Sequence, residues 1–341
     1  MVVKTASDPV GDERGAGAAT AGTVKKVIRK KGVPPRTQRV KRQVKLDPDQ
    51  LRLAQVIDEG EPERILEVLR IDTEEAEELS YELRNFAYTR LLERFRTPTQ
   101  KKVLWKMTRY CASRPELVAR QMSCAVLDTF WKDNKPEVER ILLNLARDED
   151  WEVREYASAT LARIVKQSFR ANYPYFRKWA ENPDPSIRRQ VMIALVAIGD
   201  ADHPDWAEPL LAAVEVNLRD RDPYIRRNLG PFALGEGLLR HYPGATLEAL
   251  RKWSKGKDEI QRWNVAMALT TSWAAESWRD ALEILRTLAS DKRRIVWQAV
   301  SMGLENLLRT HAGRVQPKLR GWMKERALRV PVSTALAAVS R

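Results

Sequence analysis

The sequence predicts an all-α chain folded as a right-handed α-solenoid of paired helices, preceded by a disordered basic arm. Three observations carry this prediction. Five stretches resemble one another: DWEVREYASATL at 150–161, PSIRRQVMIAL at 185–195, PYIRRNLGPFAL at 223–234, EIQRWNVAMAL at 259–269 and RRIVWQAVSMGL at 293–304. Their apolar residues recur at helical spacing, as in Ile187, Val191, Ala194, Leu195 and Ile198, which places them on one stripe of a helix. No stretch alternates apolar and polar residues, and no Asn-Gly or Asp-Gly hairpin signal occurs. Self-similarity at such a period marks units that bury their apolar faces only by stacking.

Taken along the chain, residues 1–45 come first. They carry twelve basic and three acidic residues, no aromatics and frequent Gly, Ala and Pro. Such a segment buries too little apolar surface to offset its ordering entropy, so a disordered basic arm is expected there. Residues 46–96 reverse the balance, with fourteen carboxylates against seven arginines in helix-like stretches such as EPERILEVLR. They are expected to form an acidic helical cap. Residues 97–341, the expected repeat body, hold 41 basic and 29 acidic residues. The whole chain of 341 residues carries 60 Lys and Arg against 46 Asp and Glu, a formal +14. Polyanions are the natural partners of such a surface.

Composition also excludes several classes of function. The longest apolar run, Val191 to Ile198, falls far short of the ~20 residues of a membrane span. The first residues show no apolar core of a secretory leader, so a cytoplasmic location and no membrane partner are expected. Cys111 and Cys124 are the only cysteines, which removes a disulfide framework and a cysteine zinc site. His203, His241 and His311 lie far apart, so His-based catalysis is disfavoured and no metal or cofactor is expected.

The anchoring aliphatics of the five stretches, Val153, Ile187, Ile225, Ile260 and Ile295, step by 34, 38, 35 and 35 residues. A weaker copy lies upstream at PELVARQMSCAVL, 115–127. Each unit reads as helix, Asp- and Pro-rich turn, helix, with turns at DED before Trp151, NPDP at 182–185, RDRDP at 219–223 and SKGKDE at 254–259. This pattern resembles HEAT repeats. In that family a turn Asp precedes, by six positions, an Arg that follows Val or Ile. Asp148–Arg154, Asn182–Arg188 and Asp220–Arg226 keep that offset. The resemblance implies a ladder in which turn carboxylates accept charge-assisted bonds from the guanidiniums and tie units together. The last two units are expected to lack the ladder residues. Arg189 and Arg227 stand one residue on, about 100° around the helix, and are expected to be freer to face a ligand.

A narrower likeness covers 97–310, which resembles the AlkD-like DNA alkylation repair glycosylases, solenoids whose concave basic surface cradles duplex DNA. In DWEVREYA, Trp151 and Glu155 stand where the family has a Trp four residues before its catalytic Asp. An i,i+4 pair shares a helix face, so ring and carboxylate can meet one sugar. A cationic alkylpurine is already a good leaving group. The site then needs negative charge beside an oxocarbenium ion, a placed water and an aromatic face. The resemblance therefore implies Glu155 and Trp151 as catalytic residues, in hydrolysis of the N-glycosidic bond of N3- or N7-alkylpurines. It implies Arg189, with Arg188 as the alternative, as a backbone-phosphate contact in PSIRRQVMIAL. The family's second Trp, after a Gly, is missing. Gly230 is followed here by Pro231 and Phe232, so Phe232 is the candidate for that wall, and Pro231 is expected to kink its helix.

Further DNA contacts are expected from Arg226, Arg227, Arg293 and Arg294, on a track with the turn cations Arg219, Arg221, Lys252, Lys255, Lys257 and Lys292. The eleven tryptophans are mostly packing between stacked units in this reading. Duplex DNA is the expected partner of a monomeric chain. The alternative is a non-catalytic HEAT scaffold that binds a protein or a nucleic acid, since solenoids present long concave surfaces to either.

Overall fold

The structure, a computed structural model, describes residues 46–60, 64–65 and 81–339. The expectation of disorder for residues 1–45 lies outside the described residues. Every regular element described is helical. Helices α1 (Pro48–Glu59) and α2 (Tyr81–Arg94) pack on each other and precede six helix pairs. The pairs are α3 (Pro98–Ala112) with α4 (Leu117–Leu127), α5 (Trp131–Leu145) with α6 (Trp151–Gln167), and α7 (Phe169–Ala180) with α8 (Pro185–Ile198). Next α9 (Ala207–Glu215) pairs with α10, which begins as Pro223–Asn228 and ends as Leu239–His241. The last are α11 (Pro243–Ser254) with α12 (Glu259–Ala268), and α13 (Trp278–Ala289) with the long α14 (Arg294–Trp322). Helix α15 (Arg329–Val339) closes against α14. The chain is an all-α solenoid.

The second helix of most pairs starts for the same chemical reason. Asp150, Asp184, Asp222 and Asp258 are N-caps whose carboxylates accept from the backbone N–H of Glu152, Ser186, Tyr224 and Gln261. Such a cap satisfies an otherwise orphaned donor. Aligning the units on these caps corrects the register. Three residues after the cap stand Val153, Ile187, Ile225, Gln261 and Val296, all buried. The anchors are therefore Gln261 and Val296, not Ile260 and Ile295. Gln261 reaches the core as a polar residue because it donates to the Trp253 carbonyl at 2.8 Å and accepts from Arg219. Gly256 leaves room for it, since a Cβ there would overlap the Gln261 amide.

The corrected register also corrects the ladder. Four residues after each cap stand Arg120, Arg154, Arg188, Arg226 and Arg262. Arg120 reaches forward to Asp148 at 2.7 Å, Arg188 to Asp220 at 2.7 Å and Arg262 to Asp291 at 2.6 Å. Each of these also donates to carbonyls of its own turn. The late units thus keep one rung, Arg262–Asp291, among the ladder's most deeply buried, while Gly256 and Trp297 stand where its other partners would be. Arg262 stands one residue beyond the position that the aliphatic spacing predicts. Within a unit, Arg154 bonds the Asp148 and Glu149 carbonyls, while the Asp148 carboxylate serves the preceding unit.

Pro231 does not break α10. Residues Leu229–Leu238 wind as a π-helix, whose i→i+5 pattern relieves the α-helical bond that proline cannot make. Gly230, Gly235 and Gly237 let this wider turn lie against the backbones of α12 and α8. A Cβ on Gly230 would stand 2.9 Å from the Asn264 carbonyl oxygen, and one on Gly237 would stand 3.3 Å from Val196 Cα.

The second helices α4, α6, α8, α10, α12 and α14 pack on one another far more extensively than the first helices do. The second helices therefore form one continuous layer of the stack. The core runs continuously between the layers, through residues such as Leu127, Val153, Phe176, Val191, Leu234 and Leu285. Both cysteines are buried in it. No helix among the described residues is long and apolar enough to cross a membrane.

Candidate functional site

Trp151 is the first residue of α6, held there by the Asp150 cap. Pro185 and Pro223 occupy the same position in the next two units. It is 61% exposed, and among the described tryptophans no other is exposed. Trp131, Trp179, Trp206, Trp253, Trp278 and Trp322 are buried between helices. An indole left in water, where the other ten are buried or half-buried, is not holding units together.

One turn along α6, the half-buried Glu155 accepts from Arg189 of α8 at 2.6 Å. Arg189 is only 9% exposed, and its guanidinium lies 5.7 Å from the ring of Tyr224 at the start of α10. Its Nε and Nη1 have no hydrogen-bond partner among the described residues. Glu152 turns to the other side, accepting from Arg84 of α2 at 3.0 Å and from Gln121 of α4 at 2.6 Å.

Glu155 lines one cavity and its partner Arg189 lines another. One, of about 490 Å³, lies among α2, α4 and α6, with Tyr88, Asp128, Tyr156 and Arg163 in its wall. Arg163 donates to Asp128 at 2.9 Å across it. Burial, reinforced by Tyr156, pushes the Tyr88 phenol well up, so its hydroxyl stays protonated. The other cavity, of about 200 Å³, lies between the α5–α6 turn and the starts of α8 and α10. Arg147, Arg154 and Arg189 line it with Tyr224. No group of three or more His, Cys, Asp or Glu among the described residues is placed to hold a metal ion.

Residues 138–217, which span much of α5 through the end of α9, match the family of HEAT repeats. Over those residues the chain is similar to HEAT repeats. No curated protein matches its sequence. Among solved structures, YibA of Escherichia coli is 16% identical, with 88% of this chain and 99% of that one covered and a TM-score of 0.38. A designed armadillo repeat protein is 17% identical, with 59% and 98% covered and a TM-score of 0.29. At those scores neither likeness bears on function.

The stack brings Glu155 and Arg189 together and adds Tyr224, which sequence reasoning missed, while Trp151 stands one turn before Glu155 on α6. The signal was available: Tyr224 follows the Asp-Pro cap at the place of Glu152 and Ser186, where an aromatic has no packing role. Arg189 is not the free cation expected of it, because Glu155 and Tyr224 enclose it. Arg188 is committed to Asp220. Arg293 bonds Asp291 and the Lys257 carbonyl. Arg226 lies over the Trp263 ring at 5.1 Å. Arg227 and Arg294 are exposed, as is Phe232 at 49%.

The turns within the pairs fall on one edge of the stack, where the second helices begin. Early turns there are rich in carboxylates: Asp148, Glu149 and Asp150, then Asp184. Later turns present Arg221, Lys255, Lys257, Lys292 and Arg294, all exposed, with no ion pair to any of them among the described residues. Lys252, by contrast, is held by Glu215 at 3.3 Å.

Proposed function

We propose that this HEAT-like chain binds duplex DNA, with the late turns carrying backbone phosphates and the Trp151 face turned toward the base pairs. The observation that carries the reading is the row of exposed, unpaired cations on successive turns, on the edge where Trp151 and Tyr224 also stand open. Cations without carboxylate partners retain their charge for phosphates, and open aromatic rings offer stacking surfaces. Binding through about six phosphates loses on the order of a thousandfold in affinity between about 50 and 200 mM salt. Replacing Lys255, Lys257 and Lys292 together by Gln is expected to lower the salt slope by about three. A flat salt dependence of the wild-type chain would instead favour a protein partner.

Base excision is the finer form of the reading, with Trp151 facing a cationic alkylpurine and Glu155 stabilising the sugar cation. It predicts release of free 3- or 7-alkylpurine from alkylated duplex, abolished by Glu155→Gln with binding retained. One observation favours the non-catalytic form. The Glu155 carboxylate already accepts from Arg189 at 2.6 Å, and a neutralised carboxylate offers little field to an oxocarbenium ion. Absence of base release, together with an unchanged DNA affinity in Glu155→Gln, would leave the binding scaffold as the function.

A further inference from the structure

The first helices of successive pairs are bridged by matched charges. Lys178 of α7 meets Glu139 of α5 at 3.1 Å, Lys252 of α11 meets Glu215 of α9 at 3.3 Å, and Arg251 of α11 meets Asp280 of α13 at 2.8 Å. The junction of α3 with α5 departs from this pattern. Helix α3 carries Lys101, Lys102, Lys106 and Arg109 and no carboxylate. Lys102, Lys106 and Arg109 recur at i, i+4 and i+7, on one face of the helix. The facing helix answers with Glu137, which meets Arg109 at 2.9 Å and lies 3.8 Å from Arg140 of its own helix. Lys101, Lys102 and Lys106 have no ion pair among the described residues.

Helices α3 and α5 pack only lightly on each other, while α4 lies closely on α6. A cleft of about 520 Å³ opens between the two first helices. Lys106, Arg109 and Arg140 line it, together with an apolar wall of Tyr110, Ala112 and Ile141, and among the described residues no Asp or Glu does. The side chains of Arg109 and Arg140 are 53% and 64% exposed. Ion pairs so open contribute little, so both guanidiniums can turn to an incoming carboxylate. A sugar–phosphate backbone would leave the apolar wall unmatched, and Glu137 beside the cleft would repel it. A peptide that sets an apolar side chain among carboxylates matches both the wall and the cations.

We propose that the cleft between α3 and α5 docks an acidic segment of a partner protein, with an apolar side chain against Tyr110 and Ile141 and carboxylates on Lys106, Arg109 and Arg140. The site belongs to the first helices, whereas the DNA reading uses the second helices and the late turns, so either stands without the other.

Fluorescein-labelled peptides that set a Leu or Phe among glutamates are the probes, beside all-Glu peptides and peptides with Lys in place of Glu. Anisotropy with the full-length chain is expected to show the Leu and Phe peptides bound at least about tenfold more tightly than the all-Glu ones, and the Lys peptides not bound. The cations of residues 1–45 attract every acidic peptide alike, so the differences decide. Lys106→Glu with Arg140→Glu is expected to weaken binding of the Leu peptide at least about tenfold. It is expected to melt as wild type does, because both side chains are exposed. Lys255→Glu with Lys257→Glu makes the same change of net charge on the late turns and is expected to leave peptide binding within about twofold of wild type. Equal losses in the two double variants would reduce the effect to net charge and overturn the site. Binding that Lys106→Glu with Arg140→Glu retains, no binding of any acidic peptide, or no preference for an apolar residue overturns it as well. A duplex-DNA arm separates the readings. DNA affinity lost on reversing Lys106 and Arg140, with no peptide bound, makes the cleft a nucleic-acid contact and overturns the peptide site. Peptide bound through the cleft by a chain that does not retain DNA at low salt upholds the site and removes the DNA reading.

Discussion

Asp291→Asn tests the ladder where it is most deeply buried. Asp291 is 5% exposed and accepts from Arg262 Nε at 2.6 Å, from Arg293 Nη2 at 2.6 Å and from the Arg293 N–H at 3.0 Å. Burial alone would raise its carboxyl, but the Arg293 bonds and the Arg262 guanidinium outweigh it and hold it at about 2, from an ordinary 3.8. That difference corresponds to about 2 kcal/mol of preference for the folded, ionised form. Removing one partner of a buried pair typically costs about 3–5 kcal/mol. Asn retains an acceptor, and Arg293 is 36% exposed, so the lower figure of about 2 kcal/mol applies. In a chain of this size that is a fall of roughly 3 °C in melting temperature. Because the folded-state value is depressed, the contribution is fully present above about pH 4 and disappears as pH falls toward about 2. Circular dichroism melts of wild type and variant are expected to differ at about pH 7 and to converge as pH drops below about 4. A difference below ~0.5 kcal/mol at neutral pH, the range of an ordinary surface change, would refute the ladder argument. So would a gap that persists undiminished in acid.

Other outcomes follow from the same geometry. Gly230→Ala drives a Cβ to 2.9 Å from the Asn264 carbonyl and 2.8 Å from Met267 Cβ, and is expected to cost about 1–3 kcal/mol in chemical denaturation. Gly313→Ala, which meets nothing within 4 Å on α14, is expected to gain about 0.5–1 kcal/mol in the same assay. Trp151→Ala is expected to leave stability within ~0.5 kcal/mol, because the ring is exposed, while weakening DNA binding in fluorescence anisotropy. A melting temperature lowered by many degrees would instead make Trp151 a packing residue.

Much of the architecture was legible because the caps and the apolar stripe are local. A capping Asp followed by Val or Ile at the third position starts a helix and buries that side chain, as at Val153, Ile187 and Ile225. The last two units were misaligned by one residue because Gln261 replaces an aliphatic anchor. A buried glutamine looks polar in sequence and is tolerated only through its bonds to Trp253 and Arg219. At Pro231 the helix widens to π winding, which the glycines around it permit against two neighbouring backbones.

At the site, the chemistry of each residue was readable and its availability was not. Trp151 and Glu155 share a helix face by spacing alone. Whether Arg189 meets solvent depends on Tyr224 and Glu155, which lie 35 and 34 positions away in the chain and meet it only through stacking.

The amino-acid order by itself determined a stack of paired helices with a cationic late edge, because capping, helical period and charge count act within a few residues. Only the tertiary structure decided which guanidiniums are spent on neighbours and which remain unanswered. An ion pair forms between units whose separation in sequence is about one repeat, and its presence depends on the charge that the next turn happens to offer.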